Sequence, residues 1–472
     1  LSWRVDKIDV AARAVCLEAY DSGGFYDFSL NAEGLTYPPQ VPGNYYADAY
    51  AAQAFAMLYT LTHDREYLEG SCNALDFILR VYPQYKPAAI VWHHSDFKNP
   101  AFIETVEHIL APQQVLNRCK HDAYRRLIGD LREDHYSPTN VYALRFYWHA
   151  ARERLCSTAD ESAIEDCLRR LDEDQTAEGL FHDNIATYPD AHDLTYHQYT
   201  LSCLAQGLRW RDHPSATQMF VDGLRFSIAL TTPHGEIAYV GRGANNVYHV
   251  ASAILAFETA ISMGVLDAEL ARQARRAAAL LLTQLEAHLQ PNGMLPTAMN
   301  ALVKDRVAWN HCETPYNALV AVSLLKAAQL SADADDQSPL PLERPGTIEV
   351  LDDSGYAAVR TQDYYAVLFA GCAESYRWSE GRHVTGVAGL AQLGTPESGP
   401  LLPILDEACD GSRRTPITDM PVINGAAAFG RGTLSRPSCE LPAVSWTSRY
   451  GGCTCARLYV FLPSSVLVGT RV

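Results

Sequence analysis

Asn140, His197, Arg242 and Tyr248 are the residues of this chain whose types and settings best suit acid–base chemistry on a charged substrate. His197 stands in His192-Asp193-Leu194-Thr195-Tyr196-His197-Gln198-Tyr199, a polar, titratable stretch directly ahead of Leu201-Ser202-Cys203-Leu204-Ala205-Gln206-Gly207-Leu208. The apolar spacing of that second run predicts a buried helix face, so the polar stretch lies at a helix mouth. Asn140 follows Ser137-Pro138-Thr139, where Ser137 or Thr139 can cap a helix that has Asn140 in its first turn. Arg242 lies between Gly241 and Gly243, a backbone able to turn tightly and hold a guanidinium over a cavity, and Tyr248 follows near another helix start. Each residue also has a plain structural reading. Asn140 can be capping chemistry, His197 a satisfied hydrogen-bonding histidine and Tyr248 an exposed loop tyrosine.

One reaction accounts for Asn, His, Arg and Tyr converging without an obvious metal site: β-elimination at a uronic acid. Abstracting the C5 proton requires the adjacent carboxylate to be neutralised, because a second negative charge on the developing enolate is otherwise prohibitive. Asn, His or Arg donors meet that need. Histidine titrates near neutrality unaided, whereas tyrosine, with an ordinary pKa of about 10, needs a neighbouring cation such as Arg242 to favour its phenolate. Aromatic and polar clusters elsewhere supply candidate substrate contacts: Trp92 and His94, Gln198, and Trp309, His311 and Glu313.

These residues must be positioned by helices. From Val10 to about Leu330 the chain repeats an amphipathic helix, a short turn with Gly, Pro, Asp or His, and another helix. The predicted helices are Ile8 to Tyr20, Tyr46 to Leu61, Arg65 to Val81, Ala101 to Leu116, Thr139 to Arg154, Ala163 to Asp172, Tyr196 to Trp210, Ala216 to Leu230, Asn246 to Ser262, Ala268 to Leu289 and Thr314 to Gln329. With no strand-like alternation between them, they predict an α/α toroid of six or seven helical hairpins over residues 1–330. Residues 331–346 are acidic and proline-punctuated and read as a linker. Beyond them, over residues 347–472, β-branched and aromatic runs predict an antiparallel β-sheet domain: Thr347 to Leu351, Tyr356 to Arg360, Tyr364 to Phe369, Ala443 to Ser448, Leu458 to Leu462 and Ser465 to Val468.

The charge balance limits the partners. With 38 Lys+Arg against 55 Asp+Glu, the net charge of −17 opposes general nucleic-acid binding or adhesion to anionic membranes, which need a positive field. No apolar run is long enough to predict a membrane span. Twelve cysteines without zinc-ribbon spacing leave the metal reading weak and no cofactor is called for. Cys156 with Cys167, and Cys409 with Cys439, are placed where one or two disulfides are plausible outside the cytosol, while Cys16, Cys72, Cys203 and Cys312 read as buried thiols. A secreted or periplasmic setting is expected.

Asp193-Leu194-Thr195-Tyr196-His197-Gln198-Tyr199 resembles the Asp-Gly-Ser-aromatic-His-Gln signature of toroid polysaccharide lyases, the heparinase II/III and alginate or glucuronan lyase group. Gly241-Arg242-Gly243 followed by Tyr248 resembles their Gly-Arg-Gly loop and catalytic tyrosine, and the order and intervals of Asn140, His197 and Tyr248 are similar too. Leu194-Thr195 departs from the usual Gly-Ser, and the C-terminal region lacks the group's metal-binding β-domain pattern, so His383 reads as a loop residue. The resemblance implies cleavage of an acidic polysaccharide with formation of unsaturated uronate ends. Within it, His197 is the general base or the base's partner, Tyr248 protonates the glycosidic oxygen, and Asn140 with Arg242 neutralises the carboxylate and stabilises a phenolate. Syn or anti geometry decides if Tyr248 acts alone. The scarcity of Lys and Arg in the candidate loops favours glucuronan or alginate over a heparin-like polymer. Two alternatives stay open: an α/α-toroid glycoside hydrolase using paired carboxylates from Asp48, Asp193 and Glu313, and a glycan-binding protein without turnover.

Overall fold

The computed structural model describes residues 29–31, 34–35, 47–85, 95–110, 118–133, 138–156, 160–183, 192–241, 246–291, 293–297, 299, 312–331, 336–370, 373–377, 381–386, 389–401, 404–405, 415–416, 422–423, 426–427, 432–438, 441–450 and 453–471. Among them run eleven α-helices: α1 Ala47–Thr62, α2 Arg65–Tyr85, α3 Ser95–Leu110, α4 Arg118–Asp130, α5 Thr139–Cys156, α6 Glu161–Asp174, α7 Leu194–Trp210, α8 Pro214–Leu230, α9 Val247–Met263, α10 Ala268–Ala287 and α11 Thr314–Leu330. The odd-numbered helices pack side by side in the closed order α1, α3, α5, α7, α9, α11 and back to α1. The even-numbered helices lie outside this ring, each packed against the inner helix that precedes it. The fold is an α/α toroid followed by antiparallel sheets.

Sequence chemistry explains the two layers. An inner helix touches neighbours on every side and must be apolar nearly all round; in α9 every residue from Val247 to Phe257 is buried. An outer helix needs only a stripe, and α6 buries Ile164, Cys167, Leu168 and Leu171, the i, i+3, i+4, i+7 pattern, leaving its charges in water. Helix starts are fixed by side-chain caps: Asp160 for α6, Asp193 for α7, Asn246 for α9 and Asp267 for α10. Gly264, at φ 66°, ends α9 in the left-handed conformation that favours glycine.

Two helices depart from the sequence expectation. The helix predicted from Ala101 begins at Ser95 and carries Pro100 inside it, beyond the first turn where proline is normally accommodated, and α4 was not foreseen in its strongly polar segment. The helix predicted for Ile8 to Tyr20 lies outside the described residues. Short strands interrupt the helical region as well: β1 Ser29–Asn31, β2 Gly34–Leu35 and β3 Cys312–Glu313 form an antiparallel sheet of order β2-β1-β3.

Past α11 the chain builds two larger sheets. Strands β4 Ile348–Leu351, β5 Tyr356–Arg360, β6 Tyr365–Phe369, β9 Gly389–Thr395 and β10 Gly399–Pro400 pair in the order β10-β9-β6-β5-β4, with the hairpin of β7 Ala373–Arg377 and β8 Gly381–Gly386 between β6 and β9 in sequence. His383 is therefore on a strand and not in a loop. After short paired strands β11 Ile404–Leu405, β12 Thr415–Pro416, β13 Val422–Ile423 and β14 Ala426–Ala427, the second sheet follows: β15 Thr433–Ser435, β16 Ala443–Tyr450, β17 Cys453–Leu462 and β18 Ser465–Arg471. Alternate residues of β5 face opposite ways. Tyr356 and Ala358 pack with Phe226 and Leu230 of α8, whereas Ala357 and Val359 pack with Val444, Trp446 and Phe461 of the second sheet. Burial on both faces explains the continuous apolar runs of β5 and β6.

The segment expected to be a linker is pinned in place. Leu340 and Leu342 are fully buried, and Arg276 of α10 forms a bidentate pair with the two carboxylate oxygens of Glu343 at 2.6 and 3.2 Å. Cys156 and Cys167 are free thiols, contrary to the disulfide considered for them: Cys167 belongs to the buried stripe of α6. Cys72 and Cys203 are buried free thiols, while Cys16, Cys409 and Cys439 lie outside the described residues, as does the side chain of Cys312. No described helix is long and apolar enough to cross a membrane.

Candidate functional site in the toroid lumen

Helical periodicity sorts the inner-helix side chains into those facing the lumen and those facing the outer layer. A cavity at the centre is lined by Tyr50 and Gln53 of α1, Leu144 and Tyr147 of α5, Tyr199, Cys203 and Gln206 of α7, Leu255 of α9, and Leu319, Ser323 and Lys326 of α11, among others. Following each of these columns back to the helix start gives one further turn. Asn140 stands four and seven residues before Leu144 and Tyr147, Tyr248 stands seven before Leu255, and Tyr316 stands three before Leu319. Phe97 of α3 stands three residues before Pro100, another residue of the cavity wall.

Ring contacts confirm this arrangement. Tyr199 stacks on Phe97 with centroids 5.6 Å apart and places its hydroxyl 3.4 Å from that of Tyr50, and both contacts cross the lumen between helices that are not neighbours in the ring. Tyr248 meets Tyr199 edge-on at 5.7 Å and stacks on Tyr316 at 4.9 Å. Five of the six inner helices thus contribute an aromatic residue to the upper lumen, and the sixth, α5, contributes Asn140. Asn140 is 1% exposed, and neither its amide nitrogen nor its oxygen has a hydrogen-bond partner among the described residues. Burying an amide without a partner costs on the order of 1–3 kcal/mol, a cost that a ligand would remove.

Below the aromatics the lumen is closed by charge. Lys326 of α11 contacts Glu104 of α3 and donates to the Tyr147 hydroxyl at 2.7 Å, while Gln53 and Tyr147 donate to Glu104. Burial raises the Glu104 carboxyl, but Lys326 and the hydrogen bonds outweigh it and hold the group below the usual carboxylate range. Burial pushes the Tyr50 and Tyr199 phenols well above their ordinary value.

His197 does not belong to this chamber. It lies two residues from Tyr199, about 200° round the helix, and so faces the outer layer. Its ring is wholly buried between Phe181 and Phe226, Nδ1 accepts from the Phe181 amide at 3.1 Å, and Nε2 lies 3.1 Å from Ser227 Oγ of α8. Since Nδ1 is an acceptor, the proton is on Nε2 and Ser227 Oγ accepts it. Burial lowers the imidazole to about 3, which keeps it neutral. A general base needs a nitrogen open to substrate, and His197 has none; its expected role as base or base partner gives way to a structural one. Gln198 is likewise turned outward, its amide bonded to Ser227 Oγ at 3.0 Å, which removes it from the substrate contacts.

Asp193 is 3% exposed and caps α7 by accepting from the amides of Thr195 and Tyr196 at 3.0 and 3.3 Å. A Cβ on Gly241, whose φ is 117°, would meet the Asp193 carboxyl carbon at 2.4 Å, and Leu194 donates to Val240 at 3.0 Å. The Gly-Arg-Gly segment therefore starts directly against the α7 cap, a close approach that only glycine allows. Arg242 itself lies outside the described residues, as do Trp92, His94, Trp309 and His311. Glu313 is placed by its backbone in β3, paired with Ser29. Asp48 is buried in the first turn of α1, two residues from Tyr50 and hence on another side of the helix. Among the described residues no group of three or more His, Cys, Asp or Glu is arranged to hold a metal.

The lumen-facing aromatics Tyr50, Phe97, Tyr199 and Tyr316 were not singled out as site residues in sequence. Their signal was there: an aromatic residue in the first or second turn of successive buried helices, in phase with a polar column below it.

No protein-family model matches the chain, and no curated protein sequence matches it. Solved structures do. An inactive variant of α-1,6-mannanase from Salegentibacter sp., in complex with α-1,6-mannotriose, is similar over 70% of this chain and 100% of its own, with TM-score 0.52 and 12% identity. A mutant unsaturated glucuronyl hydrolase from Streptococcus agalactiae matches over 69% of this chain and 90% of its own, with TM-score 0.51 and 7% identity. Cellobiose 2-epimerase from Bacillus thermoamylovorans matches over 69% and 100%, with TM-score 0.50 and 10% identity. At these identities the likeness shows a shared α/α-toroid fold.

Proposed function

We propose that this protein is a carbohydrate-active enzyme that holds a sugar in the upper lumen of the toroid, and that its reaction is β-elimination at a uronic acid of an acidic polysaccharide. The observation that carries the reading is the buried, unpartnered amide of Asn140, in helical phase with the lumen-facing Leu144 and Tyr147 of α5, while Phe97, Tyr199, Tyr248 and Tyr316 occupy the lumen from other inner helices. Aromatic faces suit sugar rings, and an amide aimed into an apolar chamber suits one polar group of the ligand, here the uronate carboxylate. That the fold is shared with proteins named for acting on mannan, unsaturated glucuronyl and cellobiose substrates supports the carbohydrate part of the proposal.

Tyr248 is the acid–base group of this reading. It lies on the lumen face at the start of α9, two inner helices round from Asn140, and with His197 withdrawn it takes the C5 proton and returns one to the glycosidic oxygen, the syn course. Such a phenol needs a cation to favour its phenolate, and Arg242 is proposed for that role, with Trp92, His94, Trp309, His311 and Glu313 as proposed substrate contacts. His197 acts only by positioning α7.

The test is a panel of acidic polysaccharides, pure polyuronates such as glucuronan and alginate together with copolymers of uronates and neutral hexoses, followed at the ultraviolet absorbance of unsaturated uronates. The wild type is expected to generate that absorbance and Tyr248→Phe to lose it by 100-fold or more while folding normally. Undiminished activity in Tyr248→Phe would sink the assignment. Reducing ends released without absorbance would favour a hydrolase, for which Asp48 and Glu313 remain as carboxylates, since Asp193 is committed to capping α7.

A further inference from the structure

The cavity beneath the aromatic layer has largely apolar walls that carry a few polar groups the protein itself does not satisfy. Its volume is about 30 Å³, room for roughly two water-sized groups, and it reaches up to the Tyr50 and Tyr199 hydroxyls. Ser202 of α7 and Ser323 of α11 line it, and neither hydroxyl hydrogen-bonds another described residue. Lys326 has three ammonium protons and uses two, on Glu104 and Tyr147; among the described residues the third meets no acceptor. The Tyr50–Tyr199 hydroxyl contact above, at 3.4 Å, is long for a bond between hydroxyls, which prefer about 2.7–2.8 Å, so an inserted oxygen can bridge the pair.

Two properties of this space define what fits. It is small, so it accepts an exocyclic group and not a ring. It is electrically balanced, because Lys326 already faces the ionised Glu104, so it favours a neutral hydroxyl over a carboxylate. We propose that the lumen floor is a specificity subsite for the hydroxymethyl group of a neutral hexose, held by Ser202, Ser323 and Lys326. The proposal rests on the carbohydrate reading above and sharpens it: the sugar that enters deepest is uncharged, so the substrate joins a uronate, at the level of Asn140, to a neutral hexose, which pure polyuronates such as glucuronan and alginate lack.

The experiment compares D-glucose with D-xylose, which lacks the hydroxymethyl group, by ligand-observed NMR titration of the full chain. Wild type is expected to bind glucose about 10-fold or more tightly than xylose, the least that loss of a single carbon group from a fitted pocket costs. Ser202→Ala, which deletes one partner, and Ser323→Leu, which fills the space, should each bring glucose down towards xylose and leave xylose unchanged, with thermal unfolding confirming intact folding. Should the larger leucine prevent folding, Ser202→Ala decides alone. Equal affinity of the two sugars for wild type overturns the subsite. Discrimination that persists in the folded variants also overturns it, and means that the cavity holds resident water only. If neither sugar binds wild type, the carbohydrate reading itself fails and the subsite with it.

Discussion

Removing the Asn140 side chain separates function from stability in a way few substitutions do. A buried amide with structural partners loses stability when cut to alanine, whereas one left unpartnered loses nothing and sheds a desolvation cost. Asn140→Ala is therefore expected to unfold at the same or a higher denaturant concentration than wild type, while kcat/KM on the active acidic polysaccharide falls by about 100-fold or more, the usual cost of deleting a donor to developing charge. A clear loss of stability would assign Asn140 to the scaffold. His197 predicts the reverse pattern. Its folded value of about 3 lies below the ordinary 6.5, so the unfolded chain takes up a proton below about pH 6.5 that the folded chain refuses. This contribution to stability is complete above about pH 6.5 and is lost as pH falls towards 3, at up to ~1.4 kcal/mol per unit. Urea midpoints measured at pH 7.5 and pH 5 should show that loss in wild type and a shallower one in His197→Gln.

At the scale of elements, the toroid depends on a few contacts that cross its lumen. Lys326 joins α11 to Glu104 of α3 and Tyr147 of α5, so three inner helices meet at one ammonium group. Lys326→Met leaves Glu104 ionised and buried without its cation, and is expected to cost about 3–5 kcal/mol in chemical denaturation. Adding Glu104→Leu should restore most of that loss, because the pair's mutual attraction mainly offsets its own desolvation. A single variant as stable as wild type would show that the pair carries no structural weight. Helix starts were legible in the sequence where a cap precedes an apolar run, as with Asp193 and Asn246. Helix α4 was not, because its buried stripe of Tyr124, Leu127 and Ile128 is short and set in a strongly polar segment that packs between α3 and α5.

Across the whole molecule, the first sheet is buried on both sides, by α8 and by the second sheet, which makes it a shared core instead of an appended domain surface. Phe369 packs among Tyr356, Phe226 and His192 at this junction and is 1% exposed. Phe369→Ala should cost about 3–5 kcal/mol, and the far-ultraviolet helix signal and the near-ultraviolet aromatic signal should fall together at a lower temperature. Separate transitions, with the helical signal unmoved, would show that the toroid folds independently of the sheets.

Composition and periodicity by themselves determined the succession of helical hairpins, the change to β-structure after Leu330, and that Asn140 and Tyr248 begin helices. These are local properties: each helix states its own period, and each strand its own alternation. Tertiary structure decided which face of each helix meets the lumen and which meets the outer ring. Neighbours two positions apart, such as His197 and Tyr199, look equally eligible in a line of text but point about 200° apart on a helix. Closing six inner helices into a ring sent Tyr199 to the chamber and His197 to the wall, because both sides of an inner helix are buried and hydrophobicity alone does not tell them apart.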